Sequence, residues 1–215
     1  MGFPFSAAVI VTAAAGIPAG FAATLAARRL GETSQLPYSP IIAACAAIGV
    51  WAAIVLPTVP LIAVGCALGW TLLVLAIVDG VAFRLPDILT LPLLAAGLAV
   101  AWWLPDRDIV GHAVAAVLGA AVFYAIAFLF QRVRGYEGLG MGDVKLAGAA
   151  GAWLGWQALP YVILLACAVG MTWVGVATLR RGKEALAERI PFGVALCLAI
   201  WIIWLYGPPD IFGAI

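Results

Sequence analysis

Charged residues are scarce in this chain of 215 residues, at 10% of all positions, and histidine occurs once. So little polar surface cannot cover a water-soluble globule, which excludes a soluble fold. Hydrophobic residues make up 66% of the chain, so an integral membrane protein in contact with a lipid bilayer is expected. The net charge of +1, without a basic stripe interleaved with aromatic residues, excludes nucleic acid as a partner.

Closely spaced cysteines are also missing. None of the four cysteines belongs to a CxxC pair, and each lies inside an apolar run: Cys45, Cys66, Cys167 and Cys197. Zinc knuckles and redox motifs need such pairs, so the sequence predicts neither a metal site nor a cofactor. We expect all four to be small buried side chains.

The apolar runs predict an all-α fold, a polytopic membrane protein of about eight transmembrane helices, because about 20 apolar residues cross the bilayer core. No polar interval could hold a second folded unit, so residues 1–215 are expected to form a single membrane domain. Prolines and glycines mark the breaks between helices. The predicted helices cover residues 5–26, 40–56, 60–79, 87–104, 109–131, 143–157, 160–179 and 191–207. The sixth is short, and the sequence leaves open whether it breaks near Gly155.

Basic residues are distributed unevenly between the two faces of this topology. Ten of the eleven lysines and arginines fall on one face, and only Arg107 falls on the other. Because cytoplasmic loops are enriched in basic residues, that face is expected to be cytoplasmic, with both termini outside. Asp79 ends a helix that arrives at this face and Asp143 begins one that leaves it, so both carboxylates should lie there.

Asp79 and Asp143 are the strongest candidates for a functional site. An aspartate at membrane depth is costly unless its surroundings compensate it, and two at matching depth suggest a carboxylate dyad. Alternatively, each is a helix-end residue that reaches water. Asp87 follows Pro86 at the start of the fourth helix, where an N-cap is the expected role, and it remains the alternative partner for Asp143.

Two carboxyl groups that share a proton can hydrolyse a peptide bond without a metal or a nucleophilic side chain. One is ionised and activates water, while the other is protonated and polarises the scissile carbonyl. Gly140 and Gly142, next to Asp143, would let the backbone approach a substrate closely.

Three segments resemble the type IV prepilin peptidases, membrane aspartyl proteases with a GxGD motif. They are VDGVAFRLPDILTLPLL (78–94), GYEGLGMGDVKLAGAAGAWLGW (135–156) and RIPFGVALCLAIW (189–201). The resemblance implies that Asp79 and Asp143 are the catalytic pair. It further implies a multi-pass protein of the bacterial inner membrane whose active site faces the cytoplasm. Its substrates would be type IV prepilins or pseudopilins, in which a basic leader precedes an apolar helix.

Long members of that family carry a cytoplasmic insertion after the first helix, with two CxxC pairs that are associated with N-methylation. Here the corresponding loop is RRLGETSQLPYSP (28–40), which has no cysteine. We therefore expect peptidase activity without N-methyltransferase activity.

Five other charged residues each have two possible roles. Lys145 could support Asp143 or a substrate carbonyl, or reach the membrane surface. Arg84 is a topology determinant or a partner of one aspartate. Loop glutamates could contact a basic leader or be solvated: Glu137, Glu184 and Glu188.

His112 is expected at the outer interface, and an aromatic belt is expected to include Trp102, Trp103, Trp201 and Trp204.

Two alternative functions are open at this point. Another GxGD protease, such as a presenilin or signal peptide peptidase relative, would need a Pro-Ala-Leu motif in a late helix, and none occurs. A transporter that couples to protons or cations through the paired aspartates would need polar residues deeper inside the helices, where almost none are present.

Overall fold

The computed structural model describes residues 5–105, 107–135, 138–182 and 191–208. Within these residues all regular secondary structure is helical, which confirms the predicted all-α fold. The helices are α1 (Phe5–Leu30), α2 (Tyr38–Val55), α3 (Val59–Ala82), α4 (Asp87–Trp103), α5 (Ile109–Arg134), α6 (Met141–Leu154), α7 (Leu159–Arg181) and α8 (Phe192–Tyr206). All eight correspond to predicted helices, although α1, α3 and α5 each continue about one turn further than expected.

The helix boundaries follow from local backbone chemistry. Pro86 and Pro191 are the N-caps of α4 and α8, where a missing N–H costs nothing. Asp108 caps α5, because its carboxylate accepts hydrogen bonds from the N–H groups of Val110 and Gly111 at 3.0 Å each. At the C-terminal end of α6, Gly155 has a φ of +79°, and the helix ends at Leu154.

Helix lengths separate the elements into two groups. In the described part of the chain, α1, α2, α3, α5 and α7 are long and apolar enough to cross a membrane, and α4 and α8 are shorter apolar helices. Helix α6 has 14 residues and is about 21 Å long, less than the hydrocarbon core of a bilayer. The sequence did not decide where this helix ends. In the structure it ends at Leu154, before Gly155.

Contacts between helix ends define one face of the bundle, which we call the dyad face. Here the end of α3 meets the start of α8, since the Val194 N–H donates to Asp79 at 3.1 Å. The start of α6 meets the start of α4 through Lys145 and Asp87. At the opposite face, the Arg107 guanidinium donates to the Trp153 carbonyl oxygen at the end of α6.

The largest group of buried apolar side chains joins α3, α6 and α8. It includes Leu68 and Leu75 of α3, Leu146 of α6, and Leu196 and Ile200 of α8, all at most 1% exposed. A smaller group lies between α1, α2 and α3. The two segments that carry the aspartates are therefore built around α8.

Two expectations about side-chain burial are wrong. Cys167 is exposed, because α7 buries only its more N-terminal residues against the bundle. Trp201 and Trp204 are buried, since α8 is central, whereas Trp102 and Trp103 are exposed as expected of a belt. His112 is also buried: its Nδ1 donates to the Ala152 carbonyl oxygen at 2.9 Å.

Candidate active site

Asp79 lies in the last turn of α3 and points at the start of α8. Its side chain is 6% exposed, and its Oδ2 accepts a hydrogen bond from the Val194 N–H at 3.1 Å. Gly193, the second residue of α8, lies directly beside the carboxylate. The first N–H groups of a helix have no partner within the helix, and they favour a negative charge nearby. The start of α8 therefore offsets part of the cost of burying the Asp79 carboxylate.

Gly193 makes this approach possible. A Cβ atom at this position would lie 2.7 Å from Asp79 Oδ2 and 2.9 Å from its Cγ. Any larger side chain would push the carboxylate away from the N–H groups of α8. The sequence associates Pro191, Phe192 and Gly193 with the resemblance but does not indicate what they touch.

Asp143 is the third residue of α6, after the N-cap Gly140. Asp143 is 9% exposed, and its Oδ2 lies beside Gly140, where a Cβ atom would be 3.5 Å away from it. The other oxygen, Oδ1, is buried and has no hydrogen-bond partner among the described residues. An unpaired buried oxygen is costly, and such atoms concentrate at functional sites.

Leu85, between α3 and α4, packs against the starts of both α6 and α8. A Cβ atom at Gly142 would lie 2.7 Å from Leu85 Cβ, and one at Gly193 would lie 3.1 Å from Leu85 Cδ1. This packing brings Asp79 and Asp143 within electrostatic range of each other, and both within range of the Cys197 thiol. Sequence reasoning missed Leu85, because an apolar loop residue carries no chemical signal.

The other candidate residues make different contacts from those expected. Asp87 is not an N-cap: Pro86 holds that position, and the Asp87 carboxylate binds Lys145 Nζ at 2.6 and 2.7 Å. Lys145 of α6 therefore forms an ion pair with a residue of α4. Arg84 donates to the Leu30 carbonyl oxygen at 2.9 Å and pairs with Glu32 at 2.5 Å, so its partner is the loop after α1. Glu137, Glu184 and Glu188 lie outside the described residues.

Apolar cavities flank the region of Asp79 and Asp143. One of about 300 Å³ lies between α3, α7 and α8 and is lined by Gly80, next to Asp79, and by Val194. Another, of about 910 Å³, lies along α7 and reaches Leu139 and Phe192 at the starts of α6 and α8. Among the described residues, no group of three or more His, Cys, Asp or Glu side chains could hold a metal ion.

Comparison with known families gives a match across the segments that carry both aspartates. Residues 66–175 match the model of the type IV leader peptidase family. The chain belongs to this family. The matched residues include Asp79, Asp143, Asp87 and Lys145, whereas the start of α8 lies outside them.

Several relatives bear the name prepilin leader peptidase/N-methyltransferase. One from Burkholderia pseudomallei (strain 1026b) is 36% identical over 138 residues, which is 64% of this chain and 44% of the relative. One from Aeromonas salmonicida is 42% identical over 144 residues, or 65% and 48% of the two chains. One from Pseudomonas putida is 34% identical over 172 residues, or 69% and 58%.

This leader peptidase family member spans about half the length of the curated relatives it matches. No solved structure is significantly similar to it.

Proposed function

We propose that this chain is a membrane aspartyl endopeptidase with Asp79 and Asp143 as its catalytic pair. Its substrates would be type IV prepilins or pseudopilins, from which it removes the basic leader. One observation carries the proposal: two buried carboxyl groups, from the end of α3 and the start of α6, lie within electrostatic range of each other beside the start of α8. A helix bundle has no structural need for such a pair, and burial of both is expensive.

The hydrogen bonds suggest different roles for the two aspartates. Asp79 accepts a hydrogen bond from the Val194 N–H at the start of α8, an arrangement that suits a carboxylate. Within the described part of the chain Asp143 Oδ1 has no donor, an arrangement that suits a protonated oxygen. We therefore assign Asp79 as the general base and Asp143 as the general acid.

Hydrolysis then follows in two steps. Asp79 removes a proton from water as the water oxygen bonds to the scissile carbonyl carbon, and Asp143 donates its proton to the carbonyl oxygen. The tetrahedral intermediate collapses when the C–N bond breaks and the proton held by Asp79 passes to the leaving nitrogen. The proton on the intermediate returns to Asp143, which restores the starting state of both side chains.

The location of the site supports cleavage at the cytoplasmic face of the bacterial inner membrane. Arg84 and Lys145 lie at the dyad face, as does the C-terminal end of α1 with Arg28, whereas Arg107 lies at the opposite face. Basic residues are enriched on the cytoplasmic side of membrane proteins. The apolar cavities beside the dyad suit a substrate whose cleavage site is followed by an apolar segment.

The test is cleavage of a reporter prepilin in liposomes, with a basic leader, a glycine and an apolar helix. Asp79→Asn and Asp143→Asn should each lower the rate at least about 10³-fold, since an amide of the same shape cannot exchange the proton. N-terminal sequencing and mass spectrometry of the product identify the cleaved bond and show whether the new amino group is free, as the missing cysteine-rich insertion predicts.

Asp108→Asn is the matched control. It changes an aspartate at the opposite face, where asparagine can still cap α5, so cleavage should continue at the original rate. Normal cleavage by Asp79→Asn or Asp143→Asn would refute the dyad.

A further inference from the structure

A second charged pair lies close to the dyad and connects two different helices. Lys145 Nζ contacts both oxygens of the Asp87 carboxylate, at 2.6 and 2.7 Å. Asp87 is the first residue of α4, and Lys145 lies in the second turn of α6, two residues after Asp143. Both side chains are partly exposed, 57% for Asp87 and 33% for Lys145, so the pair contributes only modestly to stability.

Helix geometry prevents Lys145 from serving Asp143 directly. Residues two apart on a helix differ by about 200° around its axis, so their side chains leave from opposite faces. Asp143 is buried at the dyad, whereas Lys145 reaches outward to α4. Lys145 can therefore influence Asp143 through the orientation of α6.

The start of α6 packs against Leu85 through Gly142, and Lys145 adds the side-chain hydrogen bonds that join its first two turns to α4. Gly140 caps the helix without a side-chain hydrogen bond, and Gly138 precedes it. The far end is held by Arg107 and by Trp153 Nε1, which donates to the Leu93 carbonyl oxygen of α4 at 2.7 Å. Rotation of the first turn by about 20° would move a side-chain end at a radius of about 6 Å by about 2 Å. Errors of about 1 Å in catalytic geometry can cost about 100-fold in rate.

We propose that Asp87 and Lys145 are positioning residues, whose ion pair fixes the orientation of the first turns of α6 on α4 and so holds Asp143 facing Asp79. This proposal rests on the proposed function, because it concerns the position of the same two carboxyl groups. It assigns no contact with substrate to either residue.

A double-mutant cycle on cleavage of the reporter prepilin tests the proposal. Asp87→Ala and Lys145→Met should each lower kcat about 10- to 100-fold with KM within about twofold of the original value, and the double variant should lose no more than either single variant. The pH dependence of cleavage should keep its shape. Lys145→Arg should restore activity, since arginine also pairs with a carboxylate. Multiplied losses, a shifted pH profile or a loss only in Lys145→Met would overturn the proposal, because Lys145 would then act on Asp143 or on substrate.

Glu32→Gln is the matched control. It breaks a different ion pair of the dyad face, between Glu32 and Arg84, and should leave kcat unchanged. An equal loss in this variant would mean that any charge change at this face impairs the enzyme, which contradicts a specific role for Asp87 and Lys145.

A distance measurement decides the same question without cleavage. Spin labels at Met141→Cys, the first residue of α6, and Trp102→Cys, near the end of α4, occupy exposed positions in a Cys167→Ser background. About 22 Å of α4 separates Trp102 from Asp87, within the range of pulsed dipolar spectroscopy. Asp87→Ala should broaden or shift the distance distribution, and Glu32→Gln should not. An unchanged distribution in Asp87→Ala overturns the proposal, even if the reporter prepilin is not a substrate.

Discussion

Helices α6 and α7 are neighbours in sequence but differ sharply in how they are packed. Ten of the 14 residues of α6 are buried, among them Asp143, whereas in α7 only Val162 and Ala166 are buried among 23 residues. The short helix is enclosed by α4, α5 and α8, while the long helix turns most of its surface outward. The helix that carries a candidate catalytic residue is therefore packed inside the bundle, whereas most of the surface of its neighbour lies outside it.

The glycines of the two helices show the same difference. A Cβ atom at Gly151 of α6 would collide with the Ala115 carbonyl oxygen of α5. At Gly170 and Gly175 of α7, a Cβ atom would meet no described residue within 4 Å. Small residues in membrane helices usually allow close contact between helices. Gly151 of α6 makes such a contact, whereas, among the described residues, Gly170 and Gly175 of α7 do not. We expect α7 to tolerate changes that α6 cannot.

The largest effect is expected from adding one methyl group to α6. Gly151→Ala should destabilise the protein by about 3 kcal/mol, because the atoms in its way are backbone atoms of α5 that cannot move independently. Gly170→Ala should be neutral or stabilise α7 by roughly 0.5 kcal/mol, since alanine favours a helix. Thermal unfolding in detergent, followed by tryptophan fluorescence, measures both. Equal stability of the two variants would break the comparison.

A smaller effect is expected at the C-terminal end of α6. The Arg107 guanidinium donates to the Trp153 carbonyl oxygen and lies 4.8 Å from the Trp204 ring centroid. Arg107→Gln should cost about 2 kcal/mol, because it weakens both a charge-assisted hydrogen bond and a cation–π contact. Arg180→Gln, at the exposed end of α7, should change stability by less than about 0.5 kcal/mol. The same unfolding assay applies, and an effect of Arg180→Gln as large as that of Arg107→Gln would contradict this contrast.

The smallest effect is expected from a change between two aromatic residues. Trp153→Phe removes the hydrogen bond to the Leu93 carbonyl oxygen and should cost about 1 to 2 kcal/mol. Trp173→Phe, on an exposed side chain of α7, should cost less than about 0.5 kcal/mol. If Trp173→Phe is the more damaging change, a partner covers α7 in the membrane, and the comparison must be revised.

The eight helices of the described residues could be predicted because the breaks between apolar runs are marked by proline or glycine. The candidate dyad could be predicted from two aspartates at the ends of such runs. The contacts of Asp87 and Lys145 could not, since these residues lie 58 positions apart and each had a sufficient local explanation. The roles of Gly193 and Leu85 depend on the starts of α6 and α8 meeting near the end of α3, and no local pattern encodes that meeting.

The sequence by itself determined that this protein crosses a membrane, where the eight helices of its described residues lie and which two carboxylates are its candidate pair. These follow from hydrophobic runs, helix breakers and the cost of burying charge, all of which act locally. Only the tertiary structure decided that α6 is enclosed and α7 is not, and that Lys145 pairs with Asp87. The physical reason is that lipid-facing and protein-facing residues are equally apolar in a membrane, so hydrophobicity cannot show which side of a helix meets another helix.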